Sequence, residues 1–294
     1  MDDPSLFKEF RPLHDFFVGI DSDGCVFDSM EVKQKEFFIP NALKYFNLFK
    51  VSKLVRETWE FVNLYSVYRG SNRFPAMIKV FELLAERKEV IESGVELPDL
   101  TSLKAWVRNE TKLGNTALRK NCEEKPDKSL EIVLKWSEEV NREIGEWLHD
   151  IPPFCHAIKS MEKISATADI MVVSQTPLEA LEREWQENDL NKFVSMIAGQ
   201  EHGTKTEHIA IAAKGKYSNS KIILIGDAIG DLNAARNNGI LFYPIIPGNE
   251  DKSWERFMNE GYDRFTTGKF AGSYEESILK EFMVALPDKP AWKI

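Results

Sequence analysis

The sequence predicts an α/β fold: a doubly wound, Rossmann-like core on a parallel sheet, interrupted by a mainly helical second domain. Three observations predict it. Short apolar runs without polar alternation end in polar clusters, the stretches between the later runs have helical spacing, and the long block 31–150 is almost entirely helical in pattern.

The runs are 16–20, 170–173, 193–198, 222–225 and 241–246. Unbroken apolar runs of this length fit strands buried on both faces, as in a parallel sheet. Between the later runs, 177–188 begins with Pro177, which suits a first helical turn, and 204–216 carries Ile209, Ala212 and Ala213 at helical spacing. The segment 231–238 runs into Gly239, a helix stop. Within 31–150, amphipathic patterns cover 33–46, 53–67, 74–87 and 128–148, and Pro152-Pro153 marks the return to the core. The expected division is therefore 1–30 with 151–294 as the core domain and 31–150 as the helical domain. The tail 265–294, with Pro287, Pro290 and Trp292, reads as a chain wrapping the surface.

Composition narrows the function. The chain has 294 residues, 43% hydrophobic and 29% charged, enough for a sizeable core. A net charge of −9 argues against nucleic acid and anionic lipid as partners, and it means that any phosphate site must concentrate positive charge locally. A bound divalent cation would do so. Cys25, Cys122 and Cys155 are far apart and odd in number, which points to a reducing, cytoplasmic setting rather than a disulfide framework. No apolar run is long enough to span a bilayer and no signal peptide is visible.

The chemistry concentrates at Asp21-Ser22-Asp23-Gly24, directly after the first run. Ligand sites in open α/β sheets form at the carboxyl ends of strands, so both carboxylates stand where a site is expected. Gly24 lets the backbone turn sharply there. A calcium-loop reading fails, because Cys25 and Val26 occupy the positions where an EF-hand needs an acidic or Asn residue and then Gly. Cys25 tempts a thiol mechanism, but no histidine is placed by sequence to activate it, and the five histidines form no metal-binding spacing.

With its later segments, the chain resembles the haloacid dehalogenase-like superfamily. Asp21-Ser22-Asp23-Gly24 is similar to that family's first motif, Ser174 after 170–173 to its second, and Lys205 near a helix start to its third. Gly226-Asp227-Ala228-Ile229-Gly230-Asp231 is similar to its acidic fourth. The resemblance spans roughly 14–30 and 150–250. It implies a Mg²⁺-dependent phosphatase acting on a small phosphorylated metabolite, with Asp21 as nucleophile and Asp23 as acid and base. Ser174, the adjacent Gln175 and Lys205 are implied phosphate contacts. Asp21, Asp23 through its carbonyl, Asp227 and Asp231 are implied metal ligands, Asp231 auxiliary at most. The physical logic is consistent: a hard cation offsets the repulsion between a carboxylate nucleophile and a phosphate dianion.

In that family a helical insertion after the first motif is a cap over the active site, and 31–150 has that position. Within it, Arg69 and Arg73 flank a Gly-Ser-Asn turn, and their rigid charged forks suit phosphate or carboxylate recognition. Two other readings stand beside the phosphatase: a phosphomutase of the same superfamily, and a catalytically idle binding or scaffold protein.

Overall fold

The computed structural model describes residues 5–293 and divides into two units, Met1–Met30 with His149–Pro287 and Glu31–Leu148 with Asp288–Ile294.

The first unit carries a five-stranded parallel sheet of β1 (Phe16–Ile20), β2 (Ala168–Val173), β3 (Met196–Ala198), β4 (Ile222–Gly226) and β5 (Leu241–Pro244), in the order β3-β2-β1-β4-β5. Side chains alternate across a strand, so a buried strand feeds two cores. Val18, Ile20, Ile170, Val172, Ile223 and Ile225 enter one. Phe17, Met171, Val173, Ile222 and Leu224 enter the other. The first core is closed by the helices Ala157–Ser165 and Leu178–Glu187 through Met161, Ile164, Leu181 and Trp185. The second is closed by Lys205–Ala212, Ile229–Asn238 and Ser273–Ala285 through Ile209, Leu232, Ala235 and Phe282. This two-sided covering is the doubly wound α/β architecture that the apolar runs predict.

Some details differ from the sequence reading. Residues 193–195 are not strand: a short 3₁₀ turn, Asn191–Phe193, comes first, and only Met196–Ala198 pairs with β2. The tail is not a loose wrap, because Ser273–Ala285 forms a helix that buries Ile278 and Phe282, one turn apart on one face.

Buried Asp169 at the start of β2 fixes the approach to β1. Its carboxylate accepts from the amides of Leu13 and His14, each at 3.0 Å, and from Tyr217 Oη at 2.7 Å. Along the sheet, β1 leads to β2 and β3 on one side, and the chain then crosses to β4 on the other. The strand order thus reverses beside β1, and a crevice is expected at the carboxyl ends of β1 and β4.

The second unit is helical. Its longest helices are Ser52–Leu64, Arg73–Ala85 and Lys128–Trp147. The pattern at 33–46 is a π-helical turn, Lys33–Phe38, followed by the helix Ile39–Tyr45. Residues 288–293, expected with the core, group here instead: Trp292 meets Phe61 edge-on at 5.5 Å between centroids, and the Arg87 guanidinium lies 4.6 Å from its ring. No helix among the described residues is long and apolar enough to cross a membrane.

Candidate active site

Asp21 extends β1 by one ladder bond, its amide donating to Ile225 O at 3.0 Å, and then the chain turns. The Ser22 carbonyl accepts from the amides of Cys25, Val26 and Phe27, and Gly24 adopts φ 75° within that turn. An L side chain is strained at that φ, which accounts for glycine. The turn leaves Asp21 5% exposed at the β1–β4 crevice, with its Oδ1 accepting from the Ser22 amide at 2.8 Å.

Lys205 opens the helix Lys205–Ala212, whose start is set by Thr204: the Thr204 hydroxyl accepts from the Glu207 amide, and the Glu207 carboxylate accepts from the Thr204 amide. Lys205 Nζ lies 2.6 Å from Asp21 Oδ2 and 2.6 Å from Asp231 Oδ1. Asp231 Oδ2 in turn accepts from the Ala228 amide at 3.0 Å, which caps the helix Ile229–Asn238. Glycine is required at the end of β4, because a Cβ on Gly226 would fall 2.4 Å from Asp231 Cγ. Asp21, Asp227 and Asp231 are all buried and offer oxygens within 4.8 Å of one another.

These contacts shift the charges in opposite senses. Burial pushes the Asp21 carboxyl well above the usual carboxylate range; Lys205 opposes this, and Asp231 and Asp227 reinforce it. Burial alone would weaken the Lys205 ammonium, but Asp21 and Asp231 more than reverse that and keep it protonated. The Cys25 thiol, fully buried, is pushed up by burial and by the same carboxylates, so it is no thiolate nucleophile.

Ser174 follows β2, its amide donating to Ala198 O at 3.0 Å, and it is 2% exposed. Its Oγ accepts from the Thr176 amide at 3.2 Å. Gln175 Nε2 donates to Gly203 O at 2.9 Å, tying this loop to the one preceding Lys205. Asp23 is held by two hydroxyls: Thr176 Oγ1 donates to its Oδ2 at 2.7 Å, and Ser29 Oγ donates to its Oδ1. The structure therefore gathers Asp21, Asp227, Asp231 and Lys205 into one cluster and links Asp23 to the loop after Ser174. Ser29 and Thr176 were not singled out from sequence, and no local pattern marks a hydroxyl 153 residues from its partner.

Arg69 and Arg73 belong to the helical unit and are engaged within it. Arg69 is 3% exposed and donates to Leu64 O at 2.9 Å. Arg73 donates to Ser137 Oγ at 2.9 Å and Asn141 Oδ1 at 2.7 Å, lies 4.9 Å from the Phe38 ring, and is pushed down to about 10 by burial.

The carboxylate cluster fits a hard divalent cation. Its donors are oxygens without nitrogen or sulfur, and Lys205 pairs with two of the three carboxylates, Asp21 and Asp231. Asp21, Asp227 and Asp231 are the side chains that could hold such an ion.

No family model and no curated protein matches the chain. Solved structures do. A haloacid dehalogenase-like family hydrolase from Streptococcus pneumoniae is 14% identical, with 82% of this chain and 90% of that one covered at a TM-score of 0.44. A haloacid dehalogenase-like hydrolase from Xanthomonas campestris is 10% identical, with 87% and 94% covered at 0.45. A predicted phosphoglycolate phosphatase from Haemophilus somnus is 14% identical, with 79% and 86% covered at 0.44.

Proposed function

We propose that this chain is a haloacid dehalogenase-like phosphatase that hydrolyses a small phosphorylated metabolite with Mg²⁺ as cofactor and Asp21 as nucleophile. The observation that carries the reading is the buried cluster of Asp21, Asp227, Asp231 and Lys205 at the point where the strand order reverses.

In this reading an Asp21 oxygen forms a bond to phosphorus while the ester P–O bond breaks, and Asp23 delivers a proton to the leaving oxygen. Water then attacks the aspartyl-phosphate, giving its proton to Asp23 and releasing orthophosphate and the free Asp21 carboxylate. Asp23 exchanges one hydroxyl partner, Ser29 or Thr176, for the substrate oxygen during this cycle. Ser174 Oγ and Lys205 Nζ hold non-bridging phosphate oxygens, and Lys205 stays charged throughout because Asp231 anchors it. Gln175 braces the loop that presents Ser174. Mg²⁺ held by Asp21 and Asp227, with the Asp23 carbonyl, would supply the charge that lets a carboxylate approach a phosphate dianion.

The test is orthophosphate release from p-nitrophenyl phosphate and a panel of phosphorylated metabolites. Turnover that disappears with EDTA and in Asp21→Asn is expected. A folded protein that releases no phosphate from any panel member with Mg²⁺ present refutes the reading.

A further inference from the structure

The loop bearing Asp21 is anchored by a side chain whose partners lie far along the sequence. Ser22 is fully buried. Its Oγ accepts from Trp185 Nε1 at 2.9 Å and donates to Glu184 Oε2 at 3.1 Å. Both partners lie on the helix Leu178–Glu187, which is seated in the core by Leu181 and Trp185. The backbone of Ser22 does separate work. Its carbonyl accepts from three amides of the turn, and its N–H donates to Asp21 Oδ1 at 2.8 Å.

These two sets of contacts divide the labour. The carbonyl contacts are local and keep the turn intact whatever the side chain. The hydroxyl contacts fix where that turn sits against the helix, and hence where the Ser22 N–H points. A carboxylate attacking phosphorus in line tolerates little misplacement, since a shift of about 1 Å can cost on the order of a hundredfold in rate. A buried indole N–H needs an acceptor in any case, so a purely structural role would show as lost stability without a specific effect on the reaction at Asp21.

We propose that Ser22 is a positioning residue, its hydroxyl held by Trp185 and Glu184 so that its N–H aims the Asp21 carboxylate at phosphorus. This rests on the phosphatase reading above.

The variants are Ser22→Ala, Trp185→Phe and the double. Trp185→Phe removes the indole donor and some buried volume, and keeps a ring against Phe27, which the Trp185 ring meets edge-on at 5.8 Å. Two readouts are taken on protein shown to be folded by near-UV circular dichroism: turnover of the substrate found in the panel, and the ¹⁹F NMR signal of the beryllofluoride adduct that mimics phosphorylated Asp21. The expected result is a kcat lowered about tenfold in each single variant with KM within about twofold, and a double variant no slower than the worse single. The adduct resonance is expected to shift or broaden in all three. Wild-type kcat in both single variants, or losses that multiply in the double, would overturn the proposal. A wild-type adduct with an unaltered Ser22→Ala adduct overturns the positioning alone; a wild-type protein with neither adduct nor turnover overturns the phosphatase reading and this inference together.

Discussion

Replacing Lys205 by methionine removes the ammonium while keeping a similar unbranched stem. The charge lies 2.6 Å from both Asp21 Oδ2 and Asp231 Oδ1, with side-chain exposures of 15%, 6% and 0% for the three residues. Removing one partner of a buried pair costs about 3–5 kcal/mol, because the remaining charges are left in a poor solvent. Against a typical total of about 5–15 kcal/mol, that is a large share of stability. The loss has a definite pH dependence. The folded Asp21 carboxyl already lies above its ordinary value of 3.8 through burial, and without Lys205 it rises further. A folded-state value raised above the unfolded one makes the folded protein bind more protons, so stability is regained as pH falls through that range. Urea denaturation in EDTA, followed by tryptophan fluorescence, should show Lys205→Met destabilised by about 3–5 kcal/mol at pH 7, with the deficit narrowing on acidification. Adding Asp231→Asn should recover about 1–3 kcal/mol of it, because the two sites are coupled. A Lys205→Met protein within about 1 kcal/mol of wild type at pH 7, or a deficit that widens in acid, would refute the electrostatic account.

Other perturbations test neighbouring parts of the structure. Gly226→Ala forces a Cβ to within 2.4 Å of Asp231 Cγ, and an overpacking cost of about 1–3 kcal/mol should appear as a lower denaturation midpoint. His208, fully buried, is lowered to about 4 from 6.5, chiefly by burial and then by His202 and Lys205. The unfolded chain therefore takes up a proton between those values before the folded one does. About 3 kcal/mol of stability should be lost as pH falls from 6.5 to 4, and His208→Leu should flatten that slope in urea titrations. Trp292→Ala removes the edge-on contact with Phe61 and the stacked Arg87, and should cost the helical unit about 1–2 kcal/mol in thermal unfolding.

The central strands were legible because each is an apolar run largely buried on both faces, and β1 matches the run 16–20 residue for residue, whereas Met196 and Ile197 of edge strand β3 are only half-buried. The helix around Lys205 was legible from its spacing, although it stops at Ala212 rather than 216. Asp21 and Asp23 could be singled out because ligand sites in an α/β sheet form at strand ends, whereas Asp227 and Lys205 were read from the resemblance to the haloacid dehalogenase-like motifs. The supports of the site left no such trace. Ser22, Trp185 and Glu184 meet across more than one hundred and sixty residues, and Ser29, at the start of a short helix, and Thr176, on the loop after Ser174, reach Asp23 from separate segments. Hydrogen bonds of this kind depend on the assembled fold and have no sequence period. The helix Ser273–Ala285 was obscured by the prolines after it, although Ile278 and Phe282 carry its spacing.

Acid-quenching the wild-type protein during steady-state turnover, then mapping peptides by mass spectrometry, tests the nucleophile most directly. The account predicts a hydroxylamine-labile phosphoryl group on the side chain of Asp21, absent from Asp21→Asn. Turnover with the phosphoryl group on another residue, or full turnover by Asp21→Asn, would contradict it.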